Sequence, residues 1–226
     1  MLVFAFSLPA YAQQWQDLFN GKNLDGWQPR GACLWTVLAD GTLLGQRTYD
    51  RAKMFAQWPI DQKQFQNWWG QQAWLYTERE FGEFDLHLEY LLPPRGNSGI
   101  SIRDVSRAHY AIREPDDTKV LARTKLKGSP AHIGYEIQLI DPDNNRYASG
   151  SVYLFNAAKT GVQKTAAWNS LDIESRNNMI RVKLNGQAVS ESAGDPERSK
   201  TGPIGLQLHD QSTFVMFRNI RIREIH

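Results

Sequence analysis

Glu136, Gln138, Arg103, Gln207 and His209 are the side chains best placed to do chemistry, because each falls on the polar parity of a strictly alternating segment. Tyr135-Glu136-Ile137-Gln138-Leu139, Ile100-Ser101-Ile102-Arg103, Leu206-Gln207-Leu208-His209 and Phe84-Asp85-Leu86-His87-Leu88-Glu89 all set apolar residues against hydrogen-bonding ones. Successive side chains on a strand point to opposite faces, so each segment buries one parity and presents the other. A solvated sheet face more often carries Lys, Thr and Ser. Short-stemmed Asp, His, Glu and Gln hold a geometry better, and they suit a polyhydroxylated ligand. A sugar-like substrate is the first expectation, with a merely wet sheet face as the bland alternative.

Glu136 is the first candidate for acid/base work, since a carboxylate in mid-strand can be tuned by partial burial. The competing role is a structural ion pair with Arg103. His209, on the same parity as Gln207, is suited to share proton transfer or to bind a metal. Arg103 offers a rigid fork of donors, with pairing to Glu136 or Glu89 as its structural alternative. Gln138 and Gln207 present both donor and acceptor, the complement of sugar hydroxyls. His87 and Glu89, with Asp85, form a conceivable hard-metal set, but three same-face strand residues span about 13 Å, too far for one ion unless the strand bends. No metal site is therefore assigned. Tyr153 and Trp168 are candidates to stack on a pyranose ring. Gly99 brings backbone close to whatever fills the cleft, and Arg218 and Asn219 read as anchors of the last strand.

These side chains need strands to hold them. Alternation predicts strands over 34–38, 42–45, 84–92, 99–103, 134–140, 151–155, 168–174, 179–184, 204–209 and 213–225. Asn185-Gly186 between two such runs predicts a type I′ hairpin, because both central positions need φ > 0. Many strands without helical periodicity indicate an all-β chain of two packed antiparallel sheets. Two stretches break the rhythm: Arg47 to Gln72, where Asp61 to Trp69 can form a short helix, and Asp104 to His132. Loops of this length inside a domain are commonly functional, and both are expected at the rim of the site. Asp141-Pro142-Asp143-Asn144-Asn145 lacks the spaced ligands of a calcium loop and reads as a turn.

The chain has 226 residues, 8 of them Trp, with 26 Lys+Arg against 24 Asp+Glu. A net charge of +2 selects neither nucleic acid nor an anionic membrane, and an uncharged small-molecule partner fits better. No run after the N-terminus approaches the roughly 20 apolar residues of a membrane span. Residues 1–12, an apolar stretch ending in Ala10-Tyr11-Ala12, read as a secretory signal peptide preceding one domain over 13–226. The expected location is the periplasm or the cell exterior. Cys33 is the single cysteine, which excludes an intrachain disulfide.

Taken in order, a series of motifs resembles a known family: Asp17-Leu18-Phe19-Asn20-Gly21-Lys22, Glu80-Phe81-Gly82-Glu83-Phe84-Asp85-Leu86, Gly96-Asn97-Ser98-Gly99-Ile100 with Arg103, Gly134-Tyr135-Glu136-Ile137-Gln138, Trp168-Asn169, Gly205-Leu206-Gln207 with His209, and Phe217-Arg218-Asn219-Ile220. The chain resembles the 3-keto-disaccharide hydrolase domain family from about Asp17 to Ile225. The resemblance implies a concanavalin A-like β-sandwich, or jelly roll, with long loop insertions. It also implies cleavage of the glycosidic bond of a sugar already oxidised to a ketone at C3. Such a carbonyl acidifies the C2 hydrogen, so a base can remove it and the C1 substituent leaves by elimination, water adding back afterwards. The site then needs a base, donors for the enolate oxygen and an acid at the glycosidic oxygen. Glu136 and His209 are assigned the catalytic roles, and Arg103, Gln138, Gln207, His87, Glu89 and Tyr153 the substrate-binding ones. No cofactor is predicted, a divalent cation is left open, and so is oligomeric state. A carbohydrate-binding module without catalysis is the alternative, because the same sandwich serves lectins.

Overall fold

The computed structural model describes residues 14–48, 59–69, 71–109 and 133–225. The proposed leader at 1–12, most of the 104–132 stretch and part of the 47–72 stretch lie outside the described residues. The strands among the described residues form two antiparallel sheets. Sheet one runs β11 (Gln187–Ala193), β10 (Met179–Leu184), β9 (Asn169–Arg176), β6 (Glu83–Leu91), β13 (Phe214–Ile225), β4 (Leu43–Arg47) and β3 (Cys33–Val37), and the two-residue β1 (Gln16–Asp17) also pairs with β13. Sheet two runs β2 (Trp27–Arg30), β5 (Ala73–Thr77), β12 (Ile204–Leu208), β7 (Asn97–Ile102) and β8 (Tyr135–Ile140). A short helix, α1 (Gln62–Trp69), precedes β5, where the sequence allowed one.

The apolar parities meet between the sheets, where their burial drives the packing. Leu86, Leu88, Leu171, Ile173 and Phe217 from sheet one and Ile100, Ile102, Ile137, Leu139, Leu206 and Leu208 from sheet two all belong to one core cluster and are at most 1% exposed. The hairpin forms as the Asn-Gly pair requires: Asn185 (φ 50°) and Gly186 (φ 77°) link β10 to β11, with Leu184 opposite Gln187.

The two sheets treat their polar parity differently. Strand β9 alternates buried and half-buried residues, as a sheet open on one side does, whereas β5 and β12 are buried throughout and β8 up to its last residue. The outer face of sheet two is therefore covered, which corrects the expectation of solvent-facing polar stripes. Ser151–Phe155 is also corrected: it is no strand. Val152 makes only isolated bridges to Ile137 and Asn156, and Leu154, at φ 65°, turns the chain. Strand β5 was not anticipated, because Ala73-Trp74-Leu75-Tyr76-Thr77 is a continuous apolar run without period, the signature of a strand covered on both faces.

Candidate active site

Register places the polar parity of sheet two in rows across its outer face. One row holds Tyr76, Gly205, Ser101 and Glu136. The next pairs Trp74 with Gln207 and Gly99 with Gln138, and a third extends from His209, next along the same face of the chain leaving β12, to Asn97 opposite Ile140. Two glycines shape this face. A Cβ on Gly205 would stand 2.4 Å from the Tyr76 ring, and one on Gly99 would stand 2.5 Å from Glu136 Oε1. The Glu136 carboxylate thus lies flat across β7, in the gap that Gly99 leaves.

A cavity of about 340 Å³ opens over this floor, within the size range of small-ligand clefts, about 300–1,000 Å³. Glu136, Gln138, His209, Asn97 and Gln72 line it from the sheet side, and Asn145, Arg146, Tyr147 and Tyr153 from the chain that follows β8. That chain is tied down along β8: Gln138 N donates to Ser151 O, Gly150 N to Gln138 O and Tyr153 N to Glu136 O, at 2.8–2.9 Å. Asp143 fixes the loop by accepting hydrogen bonds from the backbone amides of Ser149 and Gly161. It is a turn built on a carboxylate, in keeping with the reading of 141–145 as a turn. Tyr147 and Tyr153 meet edge to face at 5.0 Å, making an aromatic wall. Burial, with the Glu136 charge behind it, raises the pKa of Tyr153 and keeps its hydroxyl protonated.

At the other end of the floor His209 Nδ1 lies 3.4 Å from Asp210 Oδ2. A carboxylate can only accept, so Nδ1 carries the proton and Nε2 is the atom offered to a ligand. Asp210 in turn accepts from Ser212 N and Oγ and from Thr213 N at 2.7–3.0 Å. Burial alone would raise the pKa of Asp210, but the hydrogen bonds from His209 and Ser212 outweigh it and hold the carboxyl well below the usual range. A depressed folded-state pKa stabilises the fold above the unfolded value of about 3.9 and loses that contribution as pH falls towards the folded value. Asp210→Asn is accordingly expected to lower stability by about 1–3 kcal/mol at pH 7. In urea unfolding at stepwise lower pH, the gap from wild type should narrow below about pH 4.

Of the side chains singled out in the sequence, Glu136, Gln138, His209 and Tyr153 line one cavity. Gln207 lies behind it, fully buried, with Nε2 donating to Gln72 Oε1 at 3.2 Å. Arg103 is not brought there. Its φ of 59° ends the alternation, and the side chain, 1% exposed, turns to the edge of the core, where Nη1 reaches Asn178 Oδ1 of the β9–β10 turn at 3.5 Å. His87 and Glu89 are not there either, since β6 belongs to sheet one. His87 Nδ1 is 2.7 Å from Asp172, and Glu89 is held by Arg218 and Asn219 at 2.6 and 2.9 Å. Asp85, on the same face, is paired with Arg176 and Arg223. Each member of the conceivable metal triad thus has its own partner, and among the described residues no three His, Cys, Asp or Glu converge on one point. Trp168, just before β9, likewise lies against sheet one, under the Arg218 guanidinium at 4.1 Å.

The sequence singles out none of the other six lining side chains: Gln72, Asn97, Ile140, Asn145, Arg146 and Tyr147. Arg146 supplies the cation at the cavity, in place of Arg103. A wider depression of about 510 Å³ on the outer face of sheet one holds Asp85, Glu174, Arg176, Arg181 and Arg223. Those charges are spent on one another, so it offers weaker chemistry than the smaller cavity.

Among solved structures the chain is similar to two candidate glycosyl hydrolases from Parabacteroides distasonis. One is 22% identical, covering 94% of this chain and 100% of the other with a TM-score of 0.63, and the second is 20% identical, covering 94% of both with a TM-score of 0.64. It is also similar to a carbohydrate-binding module from Bacillus subtilis, at 13% identity, 88% and 96% coverage and a TM-score of 0.56. At such identities the likeness shows the shared sandwich fold alone. A search of curated proteins finds no match. The model of the 3-keto-alpha-glucoside-1,2-lyase-like domain matches residues 14–223, nearly the whole chain, which therefore belongs to that family.

Proposed function

We propose that this protein cleaves the glycosidic bond of 3-keto-glycosides by elimination, with Glu136 as the base. The carboxylate takes the C2 proton, and the C2–H electron pair forms an enolate with the C3 carbonyl. The enolate collapses, C3=O re-forms, a C1=C2 bond appears and the C1–O bond breaks. For this step His209 must enter doubly protonated, with Nδ1–H on Asp210 and the Nε2 proton passed to the departing oxygen. Water then adds its oxygen to C1 while Glu136 returns the proton to C2 and the remaining water proton goes back to His209, which completes a net hydrolysis. Arg146 is the donor for the enolate oxygen. Gln138 and Asn97, joined by a 2.9 Å hydrogen bond, serve the ring hydroxyls, and Tyr147 and Tyr153 pack against the ring.

The supporting observation is the placement of Glu136 and His209 in one cavity, two strands and four residues of register apart. Four residues amount to about 13 Å between backbone positions along the strands, but the Glu136 carboxylate reaches over Gly99, two residues of register nearer His209. The two side chains can therefore approach neighbouring atoms of one substrate from opposite ends of the floor. The test is incubation with a 3-keto-glucoside bearing a nitrophenyl leaving group, with the parent glucoside as control. Release of nitrophenol from the keto substrate alone supports the proposal. Binding of the sugar without release favours the non-catalytic module. A chelator arm reports whether a divalent ion takes part. Export to the periplasm or beyond belongs to the same proposal, because it would bring the protein to extracellular glycosides.

A further inference from the structure

A fixed donor behind the cavity settles what Gln72 offers to a ligand. An indole N–H can only donate, and Trp74 Nε1 lies 3.3 Å from one terminal atom of the Gln72 amide. That atom must be the oxygen. Gln207 meets the same oxygen at 3.2 Å, so it approaches with its amide nitrogen. Both amide orientations follow from one tryptophan, and Gln207 Oε1, fully buried, has no hydrogen-bond donor among the described residues. A buried unpartnered acceptor is costly, and that cost accompanies the orientation in which Gln72 Oε1 accepts from both Trp74 and Gln207. With Oε1 of Gln72 occupied twice, its Nε2 is the atom turned to the cavity that Gln72 lines.

The position of that donor is informative. Leu208 pairs with Ala73 across β12 and β5, so one step further on His209 stands beside Gln72. This is the end of the cavity away from Glu136, where the group departing from C1 must lie if Glu136 works at C2. We infer that Gln72, braced by Trp74 and Gln207, is a specificity-determining donor for the oxygens of a hydroxylated leaving group, such as a second sugar. This rests on the elimination chemistry proposed above. A donor there strengthens its hydrogen bond as an alkoxide leaving oxygen gains negative charge, whereas a nitrophenolate oxygen is stabilised by its own ring, needs that bond far less and brings no ring hydroxyls to bind.

The experiment compares Gln72→Met and Gln72→Glu with wild type on a 3-keto-disaccharide and on a nitrophenyl 3-keto-glucoside. Gln72→Glu keeps the acceptor for Trp74 and Gln207 but replaces the donor by a second acceptor. Both variants should lose about 10- to 100-fold in kcat/KM on the disaccharide and less than about threefold on the nitrophenyl substrate, where the departing group needs the donor far less. Equal losses on both substrates would mean that Gln72 only supports the fold and would overturn the inference, as would unchanged activity on the disaccharide. Wild type inactive on both substrates would instead overturn the elimination reading, and this inference with it.

Discussion

Glu136→Gln is expected to lower kcat on a nitrophenyl 3-keto-glucoside by about 10³-fold or more, within the range that general-base catalysis contributes. Glutamine keeps the shape of the side chain and a carbonyl oxygen over Gly99 but has no basic lone pair for the C2 proton. Glu136 is 5% exposed on the outer face of β8, away from the apolar core between the sheets. An isosteric exchange there should leave the thermal midpoint within about 3 °C of wild type. Steady-state kinetics and thermal unfolding read the two quantities separately. A variant that is folded and inactive supports the assignment. One that turns over normally removes Glu136 from the mechanism.

Glu136, Gln138 and His209 were legible because a strand has a period of two, so parity alone puts Glu136 with Gln138 on one face of β8 and His209 with Gln207 on one face of the chain leaving β12. What parity cannot tell is which sheet an element joins. Phe84 to Glu89 alternates as cleanly as Tyr135 to Leu139, yet β6 pairs with β9 and β13 in sheet one, and His87 and Glu89 emerge on the opposite surface. Arg103 shows a second limit. Its parity was extrapolated one residue past the end of β7, where a left-handed φ reverses the direction of the side chain. The loop residues Asn145, Arg146 and Tyr147 carry no periodic signal at all. They reach the cavity because Asp143 and the β8 backbone pin the loop, contacts made by residues up to 20 positions apart. Gln72 is the subtlest case, since a glutamine at the end of a Gln-rich stretch gains meaning only from the indole behind it.

The sharpest test of the site geometry uses a residue with no side chain. Gly99 does not have a positive φ, so alanine fits its extended backbone and even gains about 0.5–1 kcal/mol from reduced unfolded-state freedom. The new methyl would, however, stand 2.5 Å from Glu136 Oε1 and 2.9 Å from its Cγ. The flexible glutamate can swing aside more cheaply than the sheet can move, so the strain appears as a displaced carboxylate and not as a lost fold. Misplacing a reacting group by about 1 Å costs on the order of 10²-fold, and Gly99→Ala is expected to lower kcat by at least that factor at an unchanged midpoint. If the loss acts through Glu136, it must vanish once Glu136 is gone: in a Glu136→Gln background, Gly99→Ala should change the residual rate by less than about threefold, because two substitutions acting on one group are not additive. A full 10²-fold loss in that background would show that the methyl obstructs the substrate itself, and the account of the loss as a displaced Glu136 carboxylate would be overturned.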